Sequence, residues 1–177
     1  MPAVAAPPLH RTSVDSPLRR ILIACSDAGL AVLSLPGEDE AAFARRVARH
    51  APTRSVGAQA ARHAAQLAEE LTAYFAGTLR RFSVPLAPRG TAFQHEVWDA
   101  VCAVPYGETA TYGEIAAGLN RPRAARAVGH ANGANPLPIV IPCHRVMAAE
   151  GRLGGYSGGR GTATKLKLLT FEGALLV

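Results

Sequence analysis

The chain opens on a proline-rich stretch with no periodic apolar pattern, and residues 1–16 read as a disordered tail. From Leu18 the run LRRILIACSDAGLAVLSL sets two apolar segments on either side of Ser26-Asp27-Ala28. This is the pattern of a β-hairpin, with Gly29 free to take a positive φ. Apolar residues then recur at helical spacing over residues 38–50 and 58–76; the second helix carries Leu67, Leu71, Tyr74 and Phe75 on one face and stops at Gly77. FSVPL at 82–86 reads as a further short strand. Strands followed by helices make residues 17–88 a small α+β domain, joined through Pro88-Arg89-Gly90 to a second domain over 89–177.

The second domain is patterned as mostly helical. Phe93, Val97, Val101 and Val104 form one stripe, with Trp98 and Cys102 beside it as packing residues. Thr111-Tyr112-Gly113-Glu114 has the spacing of a capping box opening a short helix. Asn120-Arg121 is a turn, and Pro122 suits the first position of the next helix, PRAARAVGHANG. Two short helices across a tight turn form a helix-turn-helix candidate. The second helix carries Arg121, Arg123 and Arg126 among small residues including Ala127 and Ala131. That composition offers few side chains able to read base edges in a major groove. It suits close backbone approach to a minor groove, with arginines meeting phosphate. An Ala-rich core helix with solvated arginines is the competing reading.

Composition shifts the balance between these. The 177 residues are 49% hydrophobic, enough for a buried core, and carry a net charge of +6. Residues 120–160 hold six arginines (121, 123, 126, 145, 152 and 160) against the single acid Glu150, which favours an anionic partner there. No apolar stretch reaches the roughly 18 residues of a membrane span, and the start lacks the build of a signal peptide. A cytoplasmic protein is expected, with no membrane association. Cys25, Cys102 and Cys143 are odd in number and far apart, so neither a disulfide framework nor a metal site is legible, and no cofactor is expected.

Cys143 stands apart from the other two. In NPLPIVIPCHRV, residues 135–146, three prolines bracket an apolar run and deliver the cysteine at its end, next to His144 and Arg145. A stiff segment can fix a side chain in a pocket, and a neighbouring cation can favour thiolate over thiol. Glu172 is an acid available to orient a base.

PCHRV at 142–146, preceded by NPLPIVI, together with AARAVG at 124–129, PYGETATYGEIA at 105–116 and GGYSGG at 154–159, closely resembles the O6-alkylguanine-DNA alkyltransferases. The similarity covers roughly residues 91–173 and keeps the family order. It implies an N-terminal ribonuclease-H-like α+β domain followed by a mostly helical, winged-helix-like domain bearing the helix-turn-helix. It further implies that Cys143 accepts an alkyl group irreversibly from O6 of guanine, with O4 of thymine as a second substrate. By the same resemblance His144 takes the thiol proton through water, Glu172 orients that imidazole, and Asn135 braces the site. Tyr112, the backbone at Ser157, the carbonyl of Val146 and Tyr156 in GGYSGG would address the flipped base. Arg126 would fill the vacated stack, and Arg121, Arg123, Ala127 and Ala131 would lie on the minor groove of double-stranded DNA. A monomer is implied, with cooperativity on DNA left open. His130 stands where the family often has a small residue. Three other classes compete: a lesion-binding relative without transfer, which lacks the acceptor cysteine; a helix-turn-helix regulator; and a small-molecule Cys–His hydrolase.

Overall fold

The computed structural model describes residues 9–34, 37–50, 56–156 and 161–175. The chain divides into two compact units between Arg89 and Gly90. In the first, β1 (His10–Val14), β2 (Ile21–Ser26) and β3 (Gly29–Leu33) form an antiparallel sheet in the order β1-β2-β3. β1 lies inside the stretch expected as a disordered tail. Five residues pairing from His10↔Cys25 to Val14↔Ile21 correct that expectation for residues 10–14. Arg11 and Thr12 are exposed and no residue of the strand is fully buried, an edge strand too polar to stand out as apolar.

Ile23, Ala24 and Cys25 are all fully buried, so β2 is covered on both faces, which is why it reads as a continuous apolar run. α1 (Glu40–His50) contributes Phe43 and Val47 to a cluster with Leu9, Ala24, Ala31 and Val32. α2 (Ala58–Phe75) buries Ala60, Ala64, Leu67, Leu71 and Tyr74. The hairpin tip orders the start of α2: Asp27 accepts from Gly57 N at 2.8 Å and Ala60 N at 3.0 Å. Gly29 has φ +140°, and a Cβ there would fall 2.2 Å from Pro85 O. The segment against it is FSVPL, which forms a single bridge, Leu30↔Leu86, where a strand was expected. Pro85 has no N–H to donate, which stops a ladder from extending.

The second unit begins at α3 (Ala92–Cys102), capped by Thr91 in a box with Gln94. Trp98 donates from Nε1 to Ala131 O at 2.9 Å, tying α3 to α5. β4 (Ala110–Thr111) pairs in parallel with β5 (Val146–Met147), and α4 (Tyr112–Gly118) starts at once behind the Thr111–Glu114 capping box. Asn120, at φ 57°, turns the chain into a 3₁₀ turn (Pro122–Ala124) and α5 (Ala125–Gly133). Further 3₁₀ turns at Cys143–Arg145 and Ala149–Gly151 lead to α6 (Thr162–Phe171). Cys102 is exposed, contrary to its expected packing role, because it lies about 100° around the helix from buried Val101. Among the described residues no helix is long and apolar enough to cross a membrane.

Candidate active site

A cleft of about 810 Å³ opens in the second unit, lined by residues of α4, α5, the Cys143 turn and the loop before α6. The α4 capping box matters here because it fixes the first helical residue, Tyr112, at the cleft wall. Its ring lies between two glycines: Cβ atoms built on Gly129 and Gly154 would come 3.9 and 3.6 Å from it. Arg126 lines the same cleft from α5, and Tyr156 faces Cys143 across it, hydroxyl to Sγ at 4.0 Å.

Cys143 is only 5% exposed. The loop that holds it is braced by Asn135, whose Nδ2 donates to Ile141 O at 2.9 Å and whose Oδ1 accepts from Leu137 N at 2.9 Å. Within this brace Ile139 takes φ 74°, a conformation costing a β-branched residue about 1–3 kcal/mol. Stiffness expected from the prolines is thus reinforced by a side-chain clamp. Burial pushes the Cys143 thiol up, opposed by Asn135, the Tyr156 hydroxyl and the charge of Lys165.

Behind the cysteine lies a fully buried acid–base pair. His144 Nε2 is 2.9 Å from Glu172 Oε1, and both side chains are 0% exposed. A carboxylate only accepts, so Nε2 carries the proton and Nδ1 is the base. Nδ1 is buried without a hydrogen-bond partner. Burial pushes His144 down; the Glu172 hydrogen bond and charge push it up, and Arg145 and Lys165 add to the downward side.

The structure revises several assignments. Arg145 points inward: Nε and Nη2 meet Glu172 at 2.8 and 3.0 Å, so this arginine is no part of an outward cationic face, and the cation acting on Cys143 is Lys165. Ala131 is 3% exposed, which removes it from a groove-facing surface, and its carbonyl accepts from Trp98 of α3. Arg121 pairs with Glu96 at 2.7 Å and lies over Phe93, while Arg123 and Ala127 are exposed. Val146 is fully buried, and its carbonyl accepts from Lys165 Nζ at 2.5 Å. Ser157 lies outside the described residues. Two participants escaped the sequence reading. Lys165 is 0% exposed, also donates to Leu153 O, and has its pKa pulled down by burial to about 8. Asn132 lines the cleft and donates to Cys143 O at 3.2 Å. An amphipathic reading assigns a lysine to the surface, and nothing in the α6 pattern marks this one. Among the described residues no group of three or more His, Cys, Asp or Glu is placed to hold a metal ion.

Comparison with known proteins places this geometry. Residues 92–174 match the 6-O-methylguanine DNA methyltransferase DNA binding domain, and residues 9–88 match the ribonuclease-like domain of the same proteins. A methylated-DNA–protein-cysteine methyltransferase of Mycobacterium leprae is 42% identical over 164 residues, spanning 93% of this chain and 92% of its own. The chain belongs to the 6-O-methylguanine DNA methyltransferase family. A relative with the same name from Methanosarcina acetivorans is 52% identical over 109 residues, 62% of this chain and 69% of its own. The crystal structure of Mycobacterium tuberculosis OGT in complex with DNA superposes with a TM-score of 0.75 at 41% identity, covering 94% of each chain. The two units are therefore the methyltransferase family's ribonuclease-like α+β domain and its mostly helical DNA-binding domain.

Proposed function

We propose that this protein is a DNA-repair methyltransferase that moves the methyl group of O6-methylguanine in duplex DNA onto its own Cys143. The observation that carries the reading is a buried cysteine at the wall of an open cleft, backed by a His144–Glu172 pair whose base nitrogen is unspent. Family membership supports the same chemistry.

The target atom sits inside the duplex, so the nucleotide must rotate out into the cleft. Arg126, on the cleft's α5 wall, takes the vacated place in the stack, while exposed Arg123 meets backbone phosphate and Ala127 allows close approach to the minor groove. Tyr112 and Tyr156 flank the base. The Cys143 proton passes through a bridging water to His144 Nδ1, and Glu172 stabilises the imidazolium that results. The thiolate then attacks the methyl carbon; the S–C bond forms, the C–O6 bond breaks, and its electron pair stays on the guanine. The Tyr112 hydroxyl hydrogen-bonds the departing base. The same attack serves O4-methylthymine. A thioether has no leaving group for the residues around it to expel, so each molecule acts once, without cofactor or metal. The protein works as a cytoplasmic monomer.

A duplex with an isotopically labelled methyl on O6-guanine tests who accepts it. Label should move to the protein in step with repair, and Cys143→Ser should bind the lesion yet take none. Label retained by the DNA while wild-type protein binds it tightly would instead make this a lesion-recognition protein.

A further inference from the structure

Arg145 neighbours the nucleophile in sequence, but its guanidinium is committed to the interior. The side chain is 7% exposed, and its Nε and Nη2 hold the two oxygens of Glu172 at 2.8 and 3.0 Å. Nη1 donates to Val104 O at 2.7 Å, just beyond α3, and the Tyr106 ring lies 5.7 Å from the guanidinium carbon. Glu172 Oε1 thus receives both His144 Nε2 and an Arg145 N–H. A planar fork is needed for this, since a lysine ammonium cannot meet both carboxylate oxygens and a carbonyl in one plane.

We propose that Arg145 is a positioning residue for the transfer reaction: by gripping both oxygens of Glu172 it fixes the direction of the His144 N–H and balances the carboxylate charge. The imidazole then stays neutral, with its Nδ1 lone pair kept for the Cys143 proton. This rests on His144 being the base in the reaction proposed above.

The charges around His144 explain why such balance is needed. Lys165 faces it from α6 and Glu172 from the residue that caps that helix, and Cys143 and Arg145 flank it in its own turn. Glu172 is the only anion of the four before reaction. With Arg145 present, the Arg⁺–Glu⁻–His triad is neutral, and accepting the thiol proton creates His⁺ opposite a thiolate. Without Arg145, a buried carboxylate hydrogen-bonded to the imidazole draws a proton onto that imidazole from solvent. His144 would then be protonated at Nδ1 before Cys143 has given anything up, and the base would be lost.

Full-length Arg145→Met and Arg145→Lys proteins test this. Single-turnover methyl transfer from an O6-methylguanine duplex is followed against pH, and the His144 ring nitrogens are followed by ¹⁵N NMR. Arg145→Met should move the acid limb of the rate profile to higher pH by about one unit, with Nδ1 protonated at neutral pH. Arg145→Lys keeps the charge, so its limb should stay near the wild-type position while the rate falls by about 10-fold or more from lost orientation. A uniform slowing of both variants at every pH, with the neutral Nε2–H tautomer intact, would overturn the proposal. Should Arg145→Met fail to fold, Arg145→Gln replaces it in both measurements: an acid limb moved to higher pH with Nδ1 protonated at neutral pH supports the assignment, and an unmoved limb with a neutral Nε2–H imidazole contradicts it. If wild-type Cys143 takes up no methyl, the proposed function fails by itself, while His144 protonation in the Arg145 variants still judges Arg145.

Discussion

A thiol as buried as Cys143 is held in its protonated form by its surroundings, so reactivity there depends on a proton path and not on exposure. The three cysteines make this testable side by side. Exposed Cys102 should react first with iodoacetamide at neutral pH, whereas Cys25, fully buried and with its pKa pushed up to about 12, should stay unlabelled until the protein is denatured. Peptide mass mapping after timed labelling reads both, and early labelling of Cys25 would contradict the burial of β2. Arg126 supplies a second prediction: Arg126→Ala should slow repair of duplex O6-methylguanine at least ~10-fold more than reaction with the free base, which needs no flipping. Equal losses on the two substrates would remove its role in the stack. Cys143, His144, Tyr112 and Arg126 could be singled out beforehand because they fall in contiguous motifs. Lys165 and Asn132 could not, since a charged residue on a helix and a polar one in an Ala-rich helix acquire meaning only from what folds against them.

At the scale of elements, the turn Cys143–Arg145 and the C-terminus of α6 are joined through one buried carboxylate. Glu172→Gln keeps the shape but leaves the Arg145 guanidinium inside without its counter-charge. It should destabilise the protein by about 3–5 kcal/mol, read as a lowered urea midpoint with an unchanged slope. A midpoint within experimental error of wild type would mean that the ion pair is dispensable for folding. The same elements show where pattern reading succeeds. Helices α2, α3 and α4 were legible because a stripe of apolar residues, or a Thr111–Glu114 box, is local information. β1 was not, since its polar edge residues pair only with β2 across the hairpin, and FSVPL looked like a strand until Pro85 removed a ladder donor. The carboxylate–guanidinium lock spans 27 residues in sequence and leaves no periodic trace.

Over the whole molecule, the net charge of +6 is less available than its count suggests. Of the arginines in residues 120–160, Arg145 is internal and Arg121 is tied to Glu96, leaving Arg123 and Arg126 among the exposed cations beside the cleft. Exposed positive charge is therefore found at the start of α5 and in the turn before it. All the side chains assigned to the chemistry belong to the second unit. A methyl acceptor used once, as proposed for Cys143, must be consumed in proportion to the guanine it repairs. The protein is mixed with increasing amounts of O6-methylguanine duplex and digested, and the Cys143 peptide is weighed. The expected result is a gain of one CH₂ on that peptide alone, with repaired guanine reaching a plateau at one equivalent per protein. Repair continuing past one equivalent, or a Cys143 peptide of unchanged mass after repair, would contradict it.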